Sequence, residues 1–384
     1  MRPSARFSSV ELSMIRQIAA LATSRSINLG LGEPNIEPDE EFRELARIAA
    51  TNTTFHYTAN AGMLSLRELI SESEAGSIFD PATEVCVTHG TEEALYAVMQ
   101  AFIDPGDEVL IPDPGFVAYE TLVGLAGGVS VRYPLDPQSW SFSVDQIVEK
   151  ITDRTKAVLV NSPSNPTGAV ASEEVLASLA HALERRGIMV ISDEVYRRIY
   201  YGQPPASMNA LGANVVTLGG MSKSHAMTGL RLGWVLAAEP LMKTVVKAHQ
   251  YIATCASAFS QTLAELILKS PEWNSRWLSR TREQFATQRA AALRGVEELL
   301  DVTVQPPGGA FYLFVPVPAC SSLQLARKLA TEAEVLTIPG YAFGEGGEGF
   351  LRISYAASPE DIGEGLRRIA GMLRALDRSK DETK

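Results

Sequence analysis

Cysteine is scarce: Cys86, Cys255 and Cys320 are spread over 384 residues and are odd in number. Such a set makes neither a disulfide framework nor a CxxC metal knuckle, and it suits a reducing compartment. Histidine is equally thin. His56, His89, His181, His225 and His249 form no HExxH or HxxxH pair, so no metal site is expected. Positive charge is in deficit, because 34 Lys and Arg against 45 Asp and Glu leave a net charge of −11. That balance argues against grip on nucleic acid or an anionic membrane by bulk charge. Long hydrophobic runs are missing too. Glu11 and Arg16 interrupt the N-terminal stretch before a secretory core develops, and the uncharged stretch 248–264 holds too many polar groups to span a bilayer. These absences point to a cytoplasmic chain.

What is present suits a globular enzyme-sized protein. Hydrophobic residues are 46% and charged residues 21% of the chain, which disfavours disorder. At roughly 100–200 residues per domain, the length suggests two domains. Short β-branched runs at 85–88, 109–111, 129–133, 157–161, 188–192, 215–218 and 234–237 alternate with helical periods such as 91–103 and 172–186. Several runs are apolar on both faces, as strands of a helix-covered parallel sheet are. The expected fold is α/β, a mostly parallel seven-stranded sheet flanked by helices.

The rhythm then changes. A long helical pattern covers 273–300, strands are expected at 303–304, 311–315, 335–338 and 350–355, and a helix at 322–334. A final helix begins at Ser358, capped by its hydroxyl with Pro359 in the first turn. The charged tail 377–384 is expected to fray. This pattern reads as a smaller α+β domain, to which the first 40 residues return because they carry no strand of the large-sheet type. The expected division is 1–40 as an arm and part of the small domain, 41–279 as the large domain, and 280–384 as the small domain.

Two glycine-rich segments compete as phosphate sites. Gly344, Gly346 and Gly349 make a GxGxxG string, but it precedes a strand and opens no helix, so a loop is expected rather than a dinucleotide site. VTHGTEEAL runs strand, turn, helix, with Gly90 at the turn and Thr91 and Glu92 at the helix start. Free N–H groups and the dipole at such an end attract an anion, provided the Glu92 carboxylate points away.

TLGGMSKSHAMTGLRLGW is the most informative segment. Lys223 lies just past a strand among few charges, and Arg231 follows eight residues later. A desolvated lysine has a depressed pKa and attacks carbonyls, and an arginine beside it would depress that pKa further and clamp a phosphate. Asn165 sits at one strand end, in NSPSNPTG, and Asp193 and Tyr196 at the next, in SDEVY. A carboxylate ending a buried strand is costly unless a cation faces it, and a pyridinium nitrogen would be one. Each residue alone has an ordinary structural explanation. Together they lie at strand C-termini, where open α/β sheets hold ligands.

Taken in order, NLGLGEPN, HYTANAGMLSLREL, VTHGTEEAL, PGDEVLIPDPGFVAY, NSPSNPTG, SDEVY, SKSHAMTGLRLGW, PPGGAFYLF and LRISYA resemble the motifs of pyridoxal-phosphate enzymes of the aspartate aminotransferase fold (fold type I), in the class I/II aminotransferase family. The resemblance implies pyridoxal 5'-phosphate as cofactor, with Lys223 forming its internal aldimine and then moving the substrate proton. It implies that Asp193 pairs with the ring nitrogen, that Tyr196 and Asn165 donate to the ring oxygen, and that Phe116 stacks on the ring. Thr91, Glu92, Ser222 and Arg231 would hold the phosphate, joined by Tyr57 from a neighbouring subunit, which implies a homodimer with shared sites. Arg352 would grip the substrate α-carboxylate, approached closely by the backbone at Gly32.

Two positions depart from the family's usual pattern. Gly220 stands where many relatives have a serine, and Glu92 where serine, threonine or lysine is common. The acidic stretch SESEAGSIF at 71–79 is also unusual. The implied function is transamination in amino acid metabolism, from an L-amino acid to a 2-oxo acid by a ping-pong mechanism. A β-elimination C–S lyase on the same fold is the enzymatic alternative, and a non-catalytic sensor domain is disfavoured because no basic helix-turn-helix extension accompanies the motifs.

Overall fold

The apolar runs at 85–237 form one mixed seven-stranded sheet. In the computed structural model, which describes residues 2, 4–8, 10–75, 78–209, 211–317 and 321–381, a short β1 (Ile27–Asn28) precedes β2 (Val85–Thr88), β3 (Glu108–Asp113), β4 (Val129–Pro134) and β5 (Thr155–Asn161). Then come β6 (Met189–Asp193), β7 (Val215–Gly220) and β8 (Gly233–Ala237). The sheet order is β2-β8-β7-β6-β5-β3-β4. β3 to β7 pair in parallel, and β8 runs against both β2 and β7.

Residue alternation explains why both faces are apolar. In β5, Ala157 and Leu159 join one apolar cluster and Val158 and Val160 the other, all fully buried. Burying one such Leu or Val stabilises the fold by about 1.5–3 kcal/mol. The helices Thr91–Phe102, Ala118–Ala126 and Glu239–Ala253 cover the first face through Val98, Val123 and Val245. Glu173–Glu184 covers the other face through Leu176 and Leu179.

A second group of strands comprises β9 (Tyr312–Pro316), β10 (Val335–Leu336), β11 (Ile338–Pro339) and β12 (Phe350–Ser354). β11-β12-β9 is antiparallel, and β10 pairs in parallel with β1, Ile27 opposite Val335. The N-terminal segment thus returns to the C-terminal part of the chain. The helices Pro271–Leu300 and Pro359–Asp381 pack against each other. Ser358 caps the latter, its Oγ accepting the Asp361 N–H at 3.0 Å. The 279/280 division falls inside the continuous helix Pro271–Leu300.

Two expectations change. Thr303 and Val304 are not a strand, because Pro306 and Pro307 follow and remove the donors a ladder needs. The charged tail continues the last helix to Asp381, and Glu382–Lys384 lie outside the described residues. Among the described residues, no helix is long and apolar enough to cross a membrane.

The acidic stretch at 71–79, of which Gly76 and Ser77 lie outside the described residues, has a structural purpose. Glu74, with its side chain 7% exposed, is clamped by Arg197 and by Arg198, the latter at 2.6 Å. This ties the helix Leu64–Ala75 to the two residues that follow Tyr196. Burial pushes the Glu74 pKa up, but Arg198 and Arg197 outweigh burial and hold it below the usual carboxylate value. We expect Glu74→Ala to cost about 1–3 kcal/mol in urea unfolding, because two half-buried guanidiniums lose this carboxylate and Arg197 alone keeps another, Glu194. The folded pKa lies below the unfolded one, so this stabilisation is complete above about pH 4–5 and fades as pH falls through the folded value. An acid titration in which Glu74→Gln and the parent chain lose stability in parallel would contradict it.

Candidate active site

The cleft lies at the C-terminal ends of the parallel strands, where chain turns rather than side-chain ladders close the sheet. Eleven of the twelve candidate residues line it, in a volume of about 1410 Å³; Tyr57 does not. Tyr57 is 86% exposed on the loop before the helix Leu64–Ala75.

Lys223 follows β7 by three residues. Its Nζ donates to the Gly32 carbonyl at 2.7 Å. Burial above all, opposed by Glu33 and Asp193 and helped by Arg352 and Arg231, lowers its pKa to about 8. Far more of the amine is therefore unprotonated near neutral pH than of an ordinary lysine, as a nucleophile or base requires.

Asp193 ends β6 and is 8% exposed. Its Oδ2 accepts from the Tyr119 hydroxyl at 2.8 Å and its Oδ1 from the Val195 N–H at 3.3 Å. Burial pushes its pKa up, against Tyr119, Val195 and the Lys223 charge. A second cation in the cleft would relieve that burial. Tyr119 was not singled out from the sequence, although it lies one residue past the start of the helix Ala118–Ala126, a turn beyond Phe116. Phe116 packs edge-on against it at 5.5 Å and faces the cleft.

Tyr196 shares a 2.7 Å hydrogen bond with the Tyr312 hydroxyl. Tyr312, another residue that the sequence reading missed, lies at the start of β9 within the GGAFYLF string. Its Oη would be 2.2 Å from a Cβ built on Gly32, so that glycine is needed for space. The Arg352 guanidinium lies 4.5 Å above the Tyr312 ring and 5.1 Å from Phe343.

Arg352, on β12, is 1% exposed. It donates to Asn165 Oδ1 at 2.9 Å and to the Gly30 carbonyl, and its Nε has no partner among the described residues. None of its partners is a carboxylate. Burial lowers its pKa, and the Tyr312 and Tyr196 hydroxyls partly oppose that. A buried guanidinium held by neutral oxygens, with a donor to spare, is a receptor for an anion.

The anion cradle forms where β2 turns into the helix Thr91–Phe102. Gly90, with φ 83°, is its N-cap and supplies no side chain. Gly233 of β8 lies so close behind that a Cβ there would be 2.7 Å from the Gly90 carbonyl carbon and 2.8 Å from the Thr91 nitrogen. Arg231 closes the cradle from a left-handed backbone conformation, φ 52°, its guanidinium donating to Thr228 O at 2.8 Å and His89 O at 3.4 Å. Such backbone strain costs about 1–3 kcal/mol and is held where position matters. Ser222 is buried and lines the same wall. Glu92 is exposed at the mouth. Gly220 has a structural reason as well: a Cβ there would be 2.9 Å from Leu232 O and 3.1 Å from the Gly233 Cα.

The GxGxxG string is a packed corner that faces a carboxylate. Gly346 N–H donates to Asp113 Oδ1 at 3.0 Å, and a Cβ on Gly344 would be 2.1 Å from that oxygen. A phosphate has no place beside it.

The family model described as aminotransferase class I and II matches residues 24–369. The aromatic-amino-acid aminotransferase 2 of Thermococcus litoralis is 34% identical over 382 residues, covering 96% of this chain and 97% of that protein. The aspartate aminotransferase of Pyrococcus abyssi is 35% identical over 387 residues, covering 97% and 99%. Among solved structures, the aspartate aminotransferase of Thermus thermophilus with maleate superimposes with a TM-score of 0.91 at 31% identity, covering 97% of this chain and 100% of that one.

The Gly32–Tyr312 approach is directly testable. Gly32→Ala should lower stability by about 1–3 kcal/mol through overpacking. Adding Tyr312→Phe, which removes the clashing oxygen, should restore most of that loss. Thermal melts of the single and double variants decide: a double variant no more stable than Gly32→Ala would place the clash elsewhere.

Proposed function

The chain belongs to the class I and II aminotransferase family, and on that premise we propose that it uses pyridoxal 5'-phosphate, attached through Lys223, to move the amino group of an L-amino acid to a 2-oxo acid in two half-reactions. The observation that carries this reading is that Lys223, its Nζ on the Gly32 carbonyl, and the buried Arg352 line one cleft, where burial lowers the lysine pKa to about 8. The cleft also fits the cofactor's charges. A cradle of backbone N–H groups at Thr91 and Glu92, with Ser222 and Arg231, suits its phosphate. Asp193, held by Tyr119, suits a protonated ring nitrogen.

Bound there, pyridoxal phosphate would supply an electron sink for the charge left on the substrate Cα. The chain's own residues do the rest. Lys223 takes a proton from Cα and returns it to the cofactor carbon on the far side of the amino nitrogen. Asp193 keeps the ring nitrogen protonated. Tyr196, and Asn165 through the amide nitrogen left free when its Oδ1 accepts from Arg352, donate toward the ring oxygen. Phe116 covers one ring face. Arg352 orients the α-carboxylate by a paired contact, and the close backbone at Gly32 excludes water from it.

We also propose a homodimer. Tyr57 points to solvent, away from its own cleft, and a second copy would give it a phosphate to reach. Its loop is anchored by Asn60 Nδ2 on Thr254 O at 2.7 Å and by Gln261 on Thr58 at 3.1 Å, beside the exposed Tyr251. The donor side chain belongs to the range of the relatives' names, aspartate or aromatic. The elimination alternative has no observation of its own in its favour.

Apo-protein mixed with pyridoxal phosphate and reduced with borohydride should carry one adduct, on Lys223, and Lys223→Ala should carry none. Capture should speed up as pH rises and level off above about 8, because deprotonation of this amine limits it. A modified residue other than Lys223, or a rate still rising steeply toward pH 10 as for an ordinary lysine, would overturn the assignment. In a donor panel, a 2-oxo acid matching the donor supports transamination, whereas pyruvate and ammonia from a β-substituted donor support elimination.

A further inference from the structure

Behind the anion cradle lies a side-chain pair that none of the roles above uses. Glu93 is the third residue of the helix Thr91–Phe102. Its Oε2 accepts the His89 backbone N–H at 3.1 Å. Its two oxygens lie 3.0 and 3.2 Å from His249 Nδ1. His249 belongs to the helix Glu239–Ala253, which packs along the cradle helix, and it is fully buried.

We propose that His249 is a positioning residue for the phosphate cradle and acts through Glu93. The inference rests on the reading of the turn at Gly90 as the cofactor's phosphate site. A helix start is normally closed by an N-cap side chain, but the cap here is a glycine. Glu93 substitutes by reaching back to His89, as the third residue of a capping box reaches back to its cap. That fixes the turn between β2 and the helix.

The same carboxylate is a hazard. It stands on the first helical turn, within reach of the N–H groups that must bind an anion, and left loose it would compete for them. His249 removes that competition by donating Nδ1–H across both carboxylate oxygens. A carboxylate accepts only from a nitrogen that bears hydrogen, so the ring carries its proton on Nδ1. Its Nε2 has no partner among the described residues. The bond to Glu93 is thus the ring's one polar anchor. Arg231 secures the other side of the same turn through His89 O. The backbone of His89 is held on both sides, by Glu93 at its nitrogen and Arg231 at its oxygen.

The buried, half-satisfied ring makes a clean substitution possible, because phenylalanine fills similar space and deletes only the bond. Apo-protein of the parent, His249→Phe and His249→Asn would be titrated with pyridoxal phosphate by visible absorbance and with inorganic phosphate by calorimetry, alongside thermal melts of each apo form. His249→Phe should weaken both ligands about tenfold, the scale of one hydrogen bond to a charged group. His249→Asn, whose amide nitrogen lies near the Nδ1 position, should recover most of that loss. Glu93→Gln combined with His249→Phe should be less than additive, since the two act as one unit. Equal affinities for parent and His249→Phe would overturn the proposal. So would equal losses in the Phe and Asn variants that track a lowered apo melting temperature, because packing alone would then explain them. If the parent chain itself bound neither ligand, the cofactor reading would fall as well; binding by the parent with no effect of His249→Phe sinks this inference alone.

Discussion

A guanidinium buried at 1% exposure, with no carboxylate among the described residues to meet it, is the constraint around which the cleft is organised. Burying an uncompensated charge is costly, and such a group persists only where surrounding dipoles hold it or where a ligand completes it. Arg352 is held by the first means. Asn165 Oδ1 comes from the loop after β5, Gly30 O from the N-terminal segment, and the Tyr312 and Phe343 rings from the C-terminal part. One side chain therefore joins three stretches of chain far apart in sequence. The same charge helps to depress the Lys223 pKa, together with Arg231. The buried arginine and the lysine amine are electrostatically coupled: a carboxylate beside Arg352 would remove part of what depresses the Lys223 pKa.

Close backbone approach is the second structural device, and it explains where glycine is required. At Gly32 a side chain would displace the Tyr312 hydroxyl and with it the bond to Tyr196. At Gly233 a side chain would push the Gly90–Thr91 turn out of line. At Gly220 a side chain would press on the backbone of Leu232 and Gly233. In each place the side-chain space has been given up so that backbone groups stand nearer to the cleft. Glu92 stays exposed at the mouth.

The sheet was legible because its strands are apolar on both faces, a pattern that few other structures produce. Ser358 as a cap and the strand-turn-helix at Gly90 were legible for a similar reason, since local chemistry alone fixes them. Thr303 and Val304 misled because β-branching was weighed without the two prolines that follow. The missed residues share a different cause. Tyr119, Tyr312, Glu74 and His249 act through partners 74, 116, 123 and 156 positions away, and no local spacing marks such pairs. Residues that line the cleft were readable in the sequence and their supports were not.

The difference follows from what each kind of residue must satisfy. A residue that meets a ligand at a strand end is constrained by its own turn, so its neighbours in sequence carry the signal. A supporting residue is constrained only by the group it holds, and any element that passes nearby can supply it. Asp193 illustrates this: its place at the end of β6 is set by the strand, whereas the hydroxyl that holds it comes from the helix Ala118–Ala126 across the sheet. Glu93 follows the same logic, placed by the first turn of its own helix and held by a histidine from a neighbouring one. The reactive constellation can thus stay recognisable while its supports vary with whichever helices cover the sheet, and those supports set how well each reactive group is placed and charged.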